Sequence, residues 1–223
     1  MGLDRRAAPL CSPTVHRMGM RAPQSLGEWV GSARAPAQSP DPCIAARPVG
    51  SVLEAQHGPW GLGTASFDTS RRYRYRLSRL WDPRGPRVCF VMLNPSTADA
   101  SRLDPTVRRC VGFARSWGAG AVEVINLFAL CSRDPTVLRE VEDPTGVSND
   151  DALRAAARDA DQIVCAWGVH GELHDRGRIV LELVAEAGAP LVHLGLTRAG
   201  HPKHPLYLRG DAERVPLSRK ASS

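Results

Sequence analysis

A chain of 223 residues with 43% hydrophobic and 23% charged side chains has ordinary globular composition, and it is long enough to bury a core without metal or disulfide support. Its longest apolar runs, such as Val88 to Leu93, fall far short of the ~20 residues that a membrane-spanning helix requires, so no membrane protein is expected. The formal charge of +6 is carried by arginine, since only Lys203 and Lys220 are lysines; it is compatible with a nucleic-acid or nucleotide partner and follows equally from arginine-rich coding.

Six cysteines stand at positions 11, 43, 89, 110, 131 and 165, and no pair has CxxC spacing. Cys89 and Cys165 sit inside apolar, strand-like runs, where a reduced cysteine acts as a small hydrophobe. A cytoplasmic protein without a zinc or iron–sulfur site, and without any cofactor, is therefore expected.

The first 65 residues differ from the rest. Eight of the 18 prolines fall there, among Ala, Arg, Ser and Gly, and no hydrophobic period persists. Such a segment buries too little apolar surface to offset the entropy of ordering it. It also lacks the apolar core of a secretion signal, and Met18 and Met20 within it are alternative starts. Residues 1–65 are expected to be a disordered leader, and residues 66–218 a single α/β domain.

From Phe67 the pattern becomes regular. Tyr73, Tyr75, Leu77 and, after a slip, Leu80 alternate with Arg72, Arg74, Arg76 and Arg79, which predicts a half-exposed strand. Val88 to Leu93 (VCFVML) predicts a buried strand ending at Asn94-Pro95-Ser96. Asp104-Pro105 supplies an N-cap and a first-turn proline for a helix that buries Val107, Cys110, Val111, Ala114 and Trp117 and stops at Gly118.

Ala121 to Leu127 (AVEVINL) predicts a second buried strand. Ser148 or Asn149 then caps a helix running to about Ala160, with Asp150 and Asp151 favourable at its N-terminal dipole. Gln162 to Trp167 is strand three, about Gly177 to Ala187 a further helix, and Leu191 to Leu196 strand four. Strands alternating with helices imply a parallel sheet covered on both faces, with ligands at the carboxyl ends of the strands.

At those ends stand Asn94 to Asp99, Asn126 with Phe128, Trp167 with His170, and the run Gly200 to Arg209. An amide presents donor and acceptor together, which suits the edge of a nucleobase. Pro95 restricts Asn94 to extended geometry. Each feature has a plainer reading: a turn at Asn94-Pro95-Ser96, a loop contact for Asn126, a stiff surface loop at His201 to Pro205. The His170/His174 and His201/His204 spacings suggest zinc, but no third ligand and no HExxH accompany them. GxGxxG, Walker and GxSxG sequences are absent.

The order of the blocks YRYRLSRLW, VMLNPSTAD, DPTVRRC, NLFALCSRDP, ND, AWG and HPLYL resembles the bacterial family called domain of unknown function 1643, over about Phe67 to Pro216. More distantly, the chain is similar to the uracil-DNA glycosylase superfamily. That resemblance implies a three-layer α/β/α sandwich with a short, mainly parallel central sheet. It also implies hydrolysis of an N-glycosidic bond, releasing a modified or damaged base from DNA or a nucleotide. LNPST is similar to that superfamily's first motif, placing Asn94 at the catalytic amide with Pro95 and Ser96 beside it. VINLFALCSRDP is similar to the segment that reads the base, which puts Asn126 in the reading position next to Phe128. HPLYLR is similar to the last motif, with His204 at its histidine and Tyr207 following.

Three departures stand out: Leu206 replaces a small serine, the first motif carries Asn where Asp would activate water, and the four cluster-binding cysteines have no counterpart. In the implied mechanism a neutral His204 stabilises the departing base, and Asn94 holds the attacking water. Asp99 or Asp104 is the candidate general base, while Trp167 and His170 join the substrate-binding set. The alternatives are a nucleic-acid or nucleotide binding module without turnover, motivated by the missing aspartate and the arginines from Arg71 to Arg79, and a hydrolase of a small modified nucleoside.

Overall fold

The computed structural model describes residues 50–217. The leader expected over residues 1–49 lies outside them. The remainder of that expected leader is ordered: β1 (Val52–Gly58) and β2 (Gly61–Phe67) form an antiparallel hairpin across Pro59-Trp60. Gly61 has φ +101, and a Cβ there would lie 2.0 Å from the Leu80 carbonyl oxygen, so only glycine fits this turn. The hairpin escaped a reading by periodicity because β1 is half or fully exposed along its length and carries no apolar alternation.

Next come β3 (Arg74–Leu80), β4 (Arg87–Met92), α1 (Pro105–Ser116), β5 (Ala121–Asn126), α2 (Asn149–Asp159), β6 (Gln162–Cys165), α3 (Arg176–Ala185), β7 (Leu191–His193) and the two-residue β8 (Val215–Pro216). The eight strands form one sheet in the order β1-β2-β3-β5-β4-β6-β7-β8. β4 runs parallel to β5 and β6, and β6 parallel to β7. The other four pairings, β1/β2, β2/β3, β3/β5 and β7/β8, are antiparallel. The expectation of a mainly parallel sheet is therefore corrected. The crossover helices dictate parallel pairing only for the four inner strands, and the flanking hairpin and β8 add antiparallel edges.

The inner strands alternate strictly. Cys89, Val91, Ile125, Ile163 and Cys165 pack with Leu153, Ala156 and Ala157 of α2 and Val180, Leu183 and Val184 of α3. From the alternate positions, Phe90 stacks on Trp117 just past α1, with centroids 6.0 Å apart, and Trp117 stacks on Phe113 at 5.5 Å. The Asp104 side chain accepts the Val107 N–H at 2.8 Å, and Pro105 follows at the first helical position, which is why α1 begins where the sequence predicts. Ser148 caps α2 without a side-chain hydrogen bond, so the expected cap function is not filled; the neighbouring Asn149 is used elsewhere. Among the described residues no helix is long and apolar enough to cross a membrane.

β3 departs most from its sequence reading. A half-exposed strand with outward arginines is expected, yet every residue from Arg74 to Arg79 is buried. Arg76 donates through Nε to Glu123 Oε1, and through Nη2 to Glu123 Oε2 at 2.9 Å and Asp159 Oδ2 at 3.0 Å. Arg79 donates to the carbonyls of Ser78 at 2.6 Å, Asp99, and Arg102 at 3.0 Å, with its guanidinium 5.4 Å from the Trp60 ring centroid. Burial pushes its pKa down to about 10. Removing one member of a buried ion pair strands the other, at a cost of about 3–5 kcal/mol. Glu123→Ala is therefore expected to lower the unfolding free energy by about that amount in urea titrations; a loss under about 1 kcal/mol would show that Asp159, its remaining carboxylate, or water suffices for Arg76.

Candidate functional site

The connection leaving β4 runs to β5 on one side, and the connection leaving β6 runs to β7 on the other. Diverging connections open a crevice at the carboxyl ends of such strands. A cavity of about 650 Å³ occupies that position, a size ordinary for a small-molecule site. Asn94, Ser96, Asn126, Trp167, His170, His204 and Tyr207 all line it.

Asn94 stands two residues past the end of β4. Its Nδ2 donates to the carbonyl oxygens of Ser132 (2.9 Å), Pro95 (3.1 Å) and Leu130 (3.5 Å), while Ser132 N–H donates to the Pro95 carbonyl at 2.9 Å. Three carbonyls around one end of an amide require the NH2 there. What Asn94 retains for a ligand is its acceptor, Oδ1.

Asn126 closes β5 and is 1% exposed, and its Nδ2 has no hydrogen-bond partner. A buried orphan donor costs roughly 1–3 kcal/mol, so its position on a cavity wall marks it as a donor waiting for an acceptor. The backbone around it is held by two side chains, Asn149 and Arg176. Asn149 Nδ2 donates to the carbonyls of Asn126 (3.1 Å) and Leu127 (3.0 Å). Arg176 donates through Nε and Nη2 to the Leu127 carbonyl (3.1 and 3.0 Å) and through Nη2 to Asp150 (2.7 Å). Asn149 reads as a helix cap in sequence, and nothing local distinguishes this longer reach.

His204 initiates the 3-10 turn Pro205–Tyr207, and its Nδ1 accepts the Leu206 N–H at 3.3 Å. An accepting Nδ1 leaves the proton of the neutral ring on Nε2. Burial pushes the pKa below the ordinary 6.5, partly opposed by the Asp104 carboxylate, so the ring is a neutral donor near pH 7. The Tyr207 ring, 84% exposed, lies 5.7 Å away at the cavity rim.

Trp167 follows β6. A Cβ at Gly171 would lie 2.2 Å from its Cδ1, and one at Gly177 would lie 3.2 Å from its Nε1, so two glycines make room for the indole. Gly168 N–H donates to the Pro202 carbonyl at 2.8 Å and ties this loop to the His204 loop.

Three expected site residues lie elsewhere. Asp99 does not line the cavity. Its Oδ1 accepts from Ser101 N–H, Ser101 Oγ–H and Arg102 N–H, each at 2.8 Å. Burial acts to raise its pKa, but the hydrogen bonds from Ser101 and Arg102 outweigh it and hold the carboxyl below its ordinary value. Phe128 is fully buried in the core, edge-on to His174 at 6.4 Å. Pro95 contributes its carbonyl, not its ring.

Among the described residues Asp104 is the one carboxylate in the lining, beside three cationic side chains, Arg74, Arg133 and Lys203. Among the described residues no group of three or more His, Cys, Asp and Glu side chains is placed to hold a metal ion. His201 instead pairs with Glu172, Nε2 to Oε1, at 3.0 Å.

A protein-family model described as "Protein of unknown function (DUF1643)" matches residues 74–206, more than half of the chain. Neither the curated proteins nor the solved structures contain a match.

The lowered His204 pKa has a sign that can be measured. As pH falls from 6.5, the unfolded chain takes up a proton on this ring before the folded one does, and folding stability decreases until pH has passed the lowered value. An NMR titration of the His204 ring protons is expected to give a midpoint below 6.5, with Nε2 the protonated nitrogen of the neutral form; a midpoint above 6.5 contradicts the buried-donor role.

Proposed function

The chain belongs to the family described as a protein of unknown function (DUF1643), and from that footing we propose that its cavity hydrolyses an N-glycosidic bond, releasing a base from DNA or from a nucleotide. The observation that carries this reading is the convergence of Asn94, Asn126 and His204 on one cavity, with the Asn94 Oδ1, the Asn126 Nδ2 and the His204 Nε2 left for a ligand.

Cleavage of the C1′–N bond builds positive charge on the sugar and negative charge on the departing base. The Nε2–H of a neutral His204 stabilises that base by donating to its carbonyl oxygen, an electrostatic role that needs no proton transfer. Asn126 Nδ2 donates to a second acceptor on the base edge and removes the penalty of the orphan donor. Asn94 Oδ1 accepts a hydrogen bond from the attacking water. An amide takes no proton near neutral pH, so the base is assigned to Asp104, the carboxylate of the lining, in preference to Asp99. One Asp104 oxygen stays on the Val107 N–H, which orients the other.

The likeness to the uracil-DNA glycosylase fold is part of the same proposal. Supporting it are the parallel strands β5-β4-β6-β7, with α2 and α3 packed on one set of alternating side chains and the Phe113–Trp117 end of α1 on the other. On this reading the layers are α1, the sheet, and α2 with α3. The cavity is sized for a nucleotide rather than a duplex, so a base in DNA has to leave the stack to enter.

The test is base release by the purified chain from oligonucleotides carrying uracil, hypoxanthine, hydroxymethyluracil or mismatches, and from free nucleotides. With an active substrate, His204→Ala is expected to lower kcat/KM by roughly 10²–10³-fold, as removal of an oxyanion donor does elsewhere, and Asn94→Ala to lower kcat with KM little changed. No base released from any of them defeats the reading. A binding module without turnover is the second reading, favoured by the amide at position 94 where a carboxylate would activate water; binding that persists without any product supports it.

A further inference from the structure

Of the three arginines that β3 carries inward, Arg76 holds carboxylates while Arg74 and Arg79 are met by backbone carbonyls alone, and of these two it is Arg74 that faces the cavity. It is 2% exposed and lines the cavity. Its one side-chain hydrogen bond runs from Nη1 to the Ala98 carbonyl at 2.7 Å, and its Nε has no partner. Among the described residues no carboxylate lies within ion-pair distance of it. Arg76 and Arg176, also buried, each hold a carboxylate.

An isolated buried guanidinium carries a desolvation penalty of several kcal/mol, and such charges are retained in proteins where something pairs with them. Burial lowers the Arg74 pKa, the direction expected of a cation lacking its anion. Around the same cavity Arg133 and Lys203 are exposed at the rim, and Asp104, the one carboxylate, already caps α1. The lining is thus net positive, with its most buried charge unmatched.

We propose that the Arg74 guanidinium anchors a phosphate group of the bound molecule, so that the cavity takes a nucleoside phosphate rather than a neutral nucleoside. This rests on the nucleotide reading of the same cavity and names the part of the ligand that the amides and His204 leave unassigned. A planar fork with Nε free and one Nη committed matches the paired oxygens of a phosphate better than a lone base carbonyl. The phosphate is either the terminal monoester of a free nucleotide or a diester of a DNA strand. The two differ in charge and in reach, and the buried position of Arg74 favours the monoester.

Calorimetric titration of the full chain with inorganic phosphate, nucleosides, their 5′-monophosphates and a single-stranded trinucleotide tests this. The monophosphates are expected to bind at least tenfold more tightly than the nucleosides, and inorganic phosphate to compete with them. A trinucleotide that outbinds the monophosphates assigns the anchor to a diester. Arg74→Gln is expected to bring nucleoside and monophosphate within about twofold of each other, and Arg74→Lys to give an intermediate preference. Should either variant fail to fold, the Arg74 Nε–H resonance of the unaltered protein reports the contact and is expected to shift on phosphate addition. Equal affinities for nucleosides and monophosphates, no binding of any probe, or a preference that survives Arg74→Gln overturns the proposal. Phosphate preference without base release retains the anion anchor and defeats the glycosidic reading, and base release with equal affinities does the reverse.

Discussion

Taking a guanidinium out of water costs more than most single contacts return, and β3 does so three times within six residues. Each arginine must find compensation where it lies. Arg76 finds it in the carboxylates of Glu123 and Asp159, which joins the antiparallel hairpin side of the sheet to β5 and to the end of α2. Arg79 uses the carbonyls of Asp99 and Arg102, and Arg74 uses that of Ala98. Those three carbonyls belong to the connection between β4 and α1, which runs from Leu93 to Asp104 and carries Asn94 near its start. The buried charges of β3 therefore fasten the segment from which three cavity-lining polar residues, Asn94, Ser96 and Asp104, project.

The same economy shapes the rest of the crevice. Asn94 has its donor consumed by three carbonyls and keeps an acceptor. His204 has its acceptor consumed by the Leu206 N–H and keeps a donor. Asn149 and Arg176 bond the backbone on either side of the turn out of β5 and thereby hold Asn126, whose own Nδ2 stays open. Half-satisfied polar groups with fixed orientation suit a preorganised site, since little reorganisation is left for the moment of binding. They also explain why apolar replacements at Asn149 or Arg176 would act on the site at a distance, through backbone carbonyls left unpaired.

Much of the scaffold was legible before any coordinates. Val88 to Leu93 and Ala121 to Leu127 are mainly apolar runs, with valine or isoleucine at several positions, that suit strands buried on both faces. Asp104-Pro105 marks a helix start by chemistry local to four residues, and the structure uses it that way. The strand-end rule then directs attention to Asn94, Asn126, Trp167 and His204, which meet in one cavity. The β1–β2 hairpin was not legible, because an edge strand half open to water needs no alternation. Asp99 and Phe128 were misplaced for a related reason: proximity in sequence to Asn94 and Asn126 does not say which way the next side chains turn.

The sequence by itself determined the inner strands, the start of α1 and the identity of the polar residues at the strand ends, because periodicity and capping are decided within a few residues. Only the tertiary structure decided that the β3 arginines face inward. Arg76 is compensated by Glu123, 47 residues along the chain, and Asp159, 83 residues along, and Arg74 and Arg79 by carbonyls of the connection between β4 and α1. Nothing in the alternation of tyrosine and arginine encodes such partners, and without them the outward reading is the lower in free energy. The same holds for Arg74, whose place on the cavity wall came from the fold.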